Sequence, residues 1–266
     1  KHQTTFSDLE VKYVERKDPL YYIKYGPLTL ATVRPETKFG DTALAVNPKA
    51  KRYQKYIGKE IEAEGLLGKL KFKVIADEVV DPKFGTGVVK VTPAHDFADF
   101  EMGLRHNLEA KEVIDKFGRL NEKTGPYKGL KVAEARTKTA EDLKKKGLIE
   151  KIDENYKHNV AVCYKCEQVL EPRILPQWFV KMKPLAAKAM EAVKKGKIKF
   201  IPAHFEKTYF HWLQNIKDWN ISRQIVWGIR IPAWFKSIKH QGSGIKAQVE
   251  DADEIYIGIK PPEGEG

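Results

Sequence analysis

Gly85-Thr86-Gly87-Val88-Val89-Lys90-Val91-Thr92-Pro93-Ala94-His95-Asp96-Phe97-Ala98-Asp99 is the stretch on which the reading of this chain turns. Two glycines and a valine-rich alternation predict a strand from Gly87 to Thr92, and Pro93 closes it because proline has no N–H to give a ladder. Asp96 then opens a helix running to His106, with Phe97, Phe100 and Leu104 as its buried face. Lys90 and Thr92 point to one face of the strand, while Asp96 and Asp99 share the first helical turn. That turn has free N–H groups and the positive end of the helix dipole, so it stabilises carboxylates that can receive an ammonium or a hydroxyl. On spacing alone the plainer reading is structural, with Asp96 as cap and Lys90 paired to Asp99, and His95 reads either as a neighbour of the cap or as a water-positioning group.

Upstream, Ala31-Thr32-Val33-Arg34-Pro35-Glu36-Thr37-Lys38-Phe39-Gly40-Asp41-Thr42 sets an arginine between threonines at the end of a strand predicted over Leu28 to Val33. The guanidinium fork suits a phosphate or carboxylate, and the hydroxyls of Thr32 and Thr37 suit an amine or carbonyl; a structural turn with a surface ion pair is the plainer reading. Alternation at Leu9 to Val14 and at Tyr21 to Tyr25 predicts two strands joined by a turn at Lys17-Asp18-Pro19, a connecting ribbon. A further strand is expected over Leu70 to Ile75, and a second helix over Val132 to Lys146, burying Ala135, Thr139 and Leu143 and stopped by Gly147. Beyond residue 150 the pattern changes: a C-x-x-C turn, a helix over Pro184 to Lys195 ended by Gly196, and an aromatic-rich stretch. The tryptophans Trp178, Trp212, Trp219, Trp227 and Trp234 read as core packing.

With 266 residues and 42% hydrophobic content the chain can bury real cores, which sets aside disorder. A net charge of +12 would draw a polyanion, though a lysine-rich solvated surface explains it as simply. No run approaches the roughly 20 apolar residues of a membrane span, and no apolar leader core stands at the start, so the expectation is a cytoplasmic protein without a membrane partner. Lys1 at one end and a Pro/Gly-rich polar stretch at the other read as the limits of an excerpt from a longer polypeptide.

The two polar runs, in this order, resemble the editing insertion of the valyl-, isoleucyl- and leucyl-tRNA synthetases. The valyl pattern fits best: A-T-x-R-P-E-T-x-x-G-D-T-A-x-A-V, then G-T-G-x-x-K-x-T-P-A-H-D-x-x-D. The resemblance continues through Asp218-Trp219-Asn220-Ile221-Ser222-Arg223-Gln224 and Trp227 to Trp234, like the second half of an aminoacylation domain, with departures at Asn220, Val226 and Ile229. It implies a mixed α+β fold: a β-barrel-like editing domain with peripheral helices, inserted into a partial Rossmann-type catalytic domain. The implied divisions are a ribbon over 1–24, the editing domain over 25–150, a return connection over 151–205 and a piece of the aminoacylation domain over 206–266.

The function so implied is hydrolysis of threonine wrongly esterified to the valine tRNA. Asp96 would hold the α-ammonium and Asp99 the threonine hydroxyl, with His95 beside the attacking water and Lys90 and Arg34 on the carbonyl or terminal adenosine. Thr32, Thr37, Phe84 and Thr92 would shape the pocket. The partner would be the acceptor end of tRNA(Val), bound by a monomer. Editing needs no cofactor; ATP belongs to the full-length ligase, and the H-I-G-H and K-M-S-K-S signatures that bind it are absent from this chain. Cys163 and Cys166 read either as two free thiols or as half of a structural zinc site, which the resemblance would complete with His2 and one residue before Lys1. The rival readings are editing of the leucyl or isoleucyl type and a basic tRNA-binding module without catalysis.

Overall fold

The computed structural model describes residues 4–6, 10–225, 227–235 and 255–262; His2 and Val226 lie outside them. Contacts divide the chain into two units, Lys12–Ile174 on one side and Lys1–Val11 with Leu175–Gly266 on the other.

In the larger unit β1 (Val11–Tyr25) lies between β2 (Leu28–Thr32) and β7 (Ile149–Cys163). No turn interrupts β1 at Lys17-Asp18-Pro19, contrary to expectation. Its pairing with β2 begins only at Tyr21, so at Pro19 that side of the ladder needs no N–H. A second sheet runs in the order β4 (Glu60–Gly65), β5 (Gly68–Ala76), β3 (Ala43–Val46), β6 (Val88–Val91). The β3–β5 pair is parallel and the other two pairs antiparallel. Among the described residues no sheet closes into a barrel, which corrects the barrel-like expectation: a filled closed barrel takes about eight strands, and this sheet has β4 and β6 as free edges. The two sheets instead share one core, in which Ile23, Tyr25 and Leu30 of the first meet Leu44, Val46, Phe72 and Val88 of the second.

Strand period divides β3 between two cores. Leu44 and Val46 face the shared core, while Ala43 and Ala45 face Val91 and Met102. Alanine is a weak strand signal, which hid β3 in the sequence. β4 was hidden by Glu60, Glu62 and Glu64, residues that disfavour strands alone but here stand opposite Lys73, Lys71 and Lys69 of β5.

Helix α1 (Phe97–His106) starts at Asp96 as foreseen, but its buried residues are Met102 and Gly103, whereas Phe97 is 74% and Leu104 69% exposed. Gly103 sets this orientation: a Cβ there would stand 3.0 Å from the Pro93 ring, so the helix rests its bare side on the end of β6. Helix α2 (Val132–Lys145) buries Ala135, Thr139 and Leu143 as expected, and Gly147 ends it at φ +67°.

The smaller unit holds α3 (Met182–Lys194) and α4 (Phe205–Gln214), packed on each other. It also has two short antiparallel pairs, β8 (Phe179–Val180) with β9 (Trp219–Asn220) and β10 (Ala233–Phe235) with β11 (Ile255–Ile257). Core packing fails as a reading of Trp212, Trp219 and Trp227, which are exposed. Trp178 does meet Phe235, and the Trp234 indole N–H donates to the Gly258 carbonyl at 2.8 Å. No described helix is long and apolar enough to cross a membrane.

Urea unfolding checks the orientation of α1: Leu44→Ala, at a fully buried site, is expected to cost about 3–5 kcal/mol, while Phe97→Ala and Leu104→Ala each cost no more than about 0.5 kcal/mol.

Candidate functional site

In the larger unit the end of β2, the 3-10 turn Pro35–Gly40, the end of β6 and the start of α1 meet around a cavity of about 240 Å³. Every residue picked out by sequence in that unit lines it except the cysteines: Thr32, Arg34, Thr37, Phe84 and Lys90 on the strand and turn side, with Thr92, His95, Asp96 and Asp99 at the strand-to-helix junction. Sequence reasoning missed Tyr156 and His158, which β7 brings to the same wall. Tyr156 lies edge-on to Phe84 at 6.2 Å and stacks with His158, whose Nε2 is 2.8 Å from Asp18. The signal for them was out of reach, because β7 arrives from more than fifty residues downstream. Gly85 holds Phe84 in place: at φ +53° its missing Cβ would fall 2.5 Å from the Ala31 Cβ, so only glycine lets this loop lie against β2.

Beneath the cavity is a hub that the sequence did not flag. The Asp41 carboxylate accepts from Tyr25 Oη at 2.5 Å, from Thr92 Oγ1 at 2.6 Å and from Lys90 Nζ at 3.1 Å. Lys90 also donates to Thr37 Oγ1 at 2.7 Å and Thr92 Oγ1 at 2.5 Å. Its three protons are thereby engaged, and its ion pair is with Asp41 rather than Asp99. Lys38, also buried, has no hydrogen-bond partner among the described residues and lies 3.3 Å over the Tyr25 ring. Desolvation lowers its pKa to about 8.

Arg34 is clamped in the same manner. It donates from Nε to Glu36, from Nη1 to the His95 carbonyl at 2.9 Å and from Nη2 to Glu171. Glu36, fully buried, also receives both forks of Arg136 from α2, at 3.0 and 2.8 Å. A guanidinium has five N–H groups, so two of Arg34's, a residue that lines the cavity, are uncommitted.

The ring of His95 is committed to the protein on both sides. Its Nε2 accepts the Val113 N–H at 2.9 Å, so that nitrogen carries no proton, and Nδ1 donates to the Pro172 carbonyl at 3.3 Å. Both ring nitrogens are occupied, and burial lowers the pKa to about 4, keeping the ring neutral.

What remains open is acidic. Asp96 caps α1, one oxygen accepting the N–H groups of Ala98 and Asp99 at 2.9 and 3.1 Å. Asp99 accepts the Thr92 N–H at 2.8 Å through one oxygen. Each carboxylate thus has a second oxygen free at the cavity. Burial first, and the Asp96 charge second, push Asp99 up to about 7 against the pull of Lys90. A cation bound between the two would relieve that repulsion, and a hydroxyl would find an acceptor.

The cysteine pair lies apart. Cys163 ends β7 and Cys166 lies in the turn that follows it, both with free thiols. Backbone N–H groups of Cys166 and Lys165 directed at the Cys163 sulfur lower its pKa, an arrangement that suits a metal-bound thiolate. Among the described residues no third ligand completes a cluster.

Residues 1–255 match the family model of class I tRNA synthetases (I, L, M and V). The chain is 53% identical over 239 residues to a valine--tRNA ligase of Carboxydothermus hydrogenoformans, covering 88% of this chain and 27% of that protein. The corresponding ligases of Petrotoga mobilis and Thermotoga maritima are 53% and 48% identical over 238 and 239 residues, covering 87% and 88% of this chain and 27% of each. The chain therefore spans about a quarter of the length of these curated relatives.

The raised pKa of Asp99 has a consequence for stability. A carboxyl that binds its proton more tightly folded than unfolded favours the fold at low pH, and that contribution is lost as pH rises from the unfolded value of 3.8 through about 7. Asp99→Asn is therefore expected to raise Tm above the parent's at pH 8, with the gap closing below the unfolded pKa, as thermal melts across pH will show.

Proposed function

Because the chain belongs to the class I tRNA synthetases (I, L, M and V), we propose that its cavity is an editing site that hydrolyses threonine esterified to the 3′ end of tRNA(Val). The observation that carries this reading is the pair of carboxylates at the start of α1, each with one oxygen free beside the other. A threonyl ester brings an ammonium and a hydroxyl on adjacent carbons, and the pair offers an acceptor to each.

Valine and threonine are nearly isosteric, so an apolar synthetic pocket rejects threonine poorly; this enzyme class is the standard example of the problem and of its solution by a second site. Asp99 supplies the discrimination. Bound threonine satisfies its free oxygen, whereas valine would bury it without a donor, which costs binding energy. Asp96 holds the ammonium at the mouth. Arg34, fixed by Glu36 and Glu171, turns its two remaining N–H groups toward the ester, and Phe84 with Tyr156 walls the opposite side.

Among the described residues no serine or cysteine lines the cavity, and the hydroxyls of Thr32, Thr37 and Thr92 are engaged in hydrogen bonds, so we assign the attack to water. The water oxygen bonds to the ester carbonyl carbon and the carbon–oxygen bond to the ribose breaks. One water proton ends on the released ribose hydroxyl and the other is lost to solvent as the threonine carboxyl group ionises. An ester is already activated, so fixing its carbonyl beside a held water supplies most of what hydrolysis needs. His95 contributes by holding the Val113 and Pro172 segments together and by clamping Arg34 through its carbonyl.

The smaller unit we assign to the aminoacylation domain of a longer ligase, a partial Rossmann-type fold. Zinc, where bound, would take Cys163 and Cys166 as two of its four ligands and serve structure alone.

Deacylation of threonyl-tRNA(Val) by this chain is expected, with valyl-tRNA(Val) cleaved at least ~10-fold more slowly, the worth of one unsatisfied buried acceptor. Asp96→Ala should raise KM, and Asp99→Ala should erase the preference for threonine. Folded variants, verified by circular dichroism, that keep the parent's rate and preference overturn the assignment. A preference for isoleucyl or leucyl esters would move the chain to the rival specificity.

A further inference from the structure

The cavity of the larger unit is lined from one side by β7, which supplies Tyr156 and His158. Residues two apart on a strand share a face, and these two rings stack at 5.8 Å with 23° between their planes. β1, unbroken through Asp18-Pro19, runs beside β7 and brings the Asp18 carboxylate to 2.8 Å from His158 Nε2. An ionised carboxylate only accepts, so in the neutral imidazole Nε2 carries the proton and Nδ1 the lone pair. Among the described residues no hydrogen bond engages that Nδ1; the bond to Asp18 is the one the ring makes.

Hydrolysis by water needs an acceptor for a water proton as the oxygen bonds to carbon. Of the side-chain nitrogens that line the cavity, those of Arg34 and Lys90 are donors with no lone pair to offer. Both nitrogens of His95 are spent within the protein. The free oxygens of Asp96 and Asp99 are claimed, in the editing reading, by the ammonium and the hydroxyl of threonine. His158 is left with an open lone pair and with a partner that fixes its tautomer. It is half-buried at the cavity wall, between the exposed Lys157 and Asn159, and belongs to none of the hydrophobic cores.

We propose that His158 is the general base of the hydrolysis, oriented by Asp18. Its Nδ1 takes a proton from the attacking water while the water oxygen bonds to the ester carbonyl carbon. The tetrahedral intermediate then collapses by breaking the carbon–oxygen bond to the ribose, and the imidazolium returns that proton to the leaving ribose oxygen. The proton of the new threonine carboxyl group is lost to solvent, so the ring ends the cycle neutral. Between the two steps the Asp18 carboxylate stabilises the imidazolium, as a buried carboxylate does for the histidine of a catalytic triad. Stacking on Tyr156 holds the plane of the ring. The inference rests on the editing function proposed for this cavity and adds to it the group that moves the proton.

The test is single-turnover deacylation of threonyl-tRNA(Val) by the whole chain, which separates the rate at saturating protein from the protein concentration that gives half that rate. His158→Gln keeps an amide N–H for Asp18 and removes the base. It is expected to lower the saturated rate at least ~100-fold, the usual worth of general-base catalysis, with half-saturation changed less than ~2-fold. His158→Ala is expected to be as slow and to regain at least ~10-fold in rate when free imidazole supplies the missing base, after subtraction of the action of imidazole on the ester alone. Circular dichroism verifies that both variants fold. A parent chain that cleaves no threonyl ester overturns the editing function and this inference together. With an active parent, three results overturn the role of His158 and leave the editing function standing: a His158→Gln variant at the parent's rate, a change in half-saturation alone, or a folded His158→Ala variant that imidazole does not restore.

Discussion

One buried carboxylate organises the polar interior of the larger unit. Asp41 gathers the phenol of Tyr25 from β1, the ammonium of Lys90 from β6 and the hydroxyl of Thr92 at the end of β6. A charge so placed is tolerable because three donors, one of them an ammonium, meet the two carboxylate oxygens. Remove it, and Lys90 becomes an unpaired cation beneath the cavity while Lys38 loses the negative charge that offsets its burial. The hub also fixes Thr92, whose N–H orients Asp99. The geometry of the cavity mouth thus descends from a residue that does not itself line it.

A division of labour follows between groups whose hydrogen bonds are spent inside the protein and groups that keep an open valence. Lys90, Thr37 and His95 belong to the first kind; they set positions. Asp96 and Asp99 belong to the second. Their mutual repulsion is an energetic burden that a packed helix start would ordinarily shed, and proteins keep such local strain where it serves binding. An ammonium ligand would convert that burden into affinity, and under the proposed function this ties the titration of Asp99 to substrate recognition.

How much of this was legible in the sequence differs by element. The junction of β6 with α1 was readable because proline, aspartate and a valine alternation each carry a local mechanism, and α2 was readable from its helical period and closing glycine. Strand β1 was misread at Asp18-Pro19 because whether proline ends a strand depends on the neighbouring strand's length, a tertiary fact. The face of α1 was misread because Gly103 creates the contact by having no side chain. Each cavity residue named from the two polar runs does line the cavity, but their hydrogen-bond commitments were hidden: Asp41 comes from one run, Thr92 from the other, and His95 bonds segments that neither run contains. Tyr156 and His158 carry no motif at all. The family match covers residues 1–255 and so supports the family for both units, while the editing reading rests on the carboxylate pair.

The claim that those carboxylates recognise a threonyl group is tested most directly by calorimetric titration of this chain with a non-hydrolysable amide of threonine on terminal adenosine, beside its valine counterpart. The account predicts that the threonyl compound binds at least ~10-fold more tightly, the worth of about 1.4 kcal/mol expected of one satisfied buried acceptor, and that Asp99→Ala removes the difference. Equal affinity for the two compounds in the parent chain would contradict it.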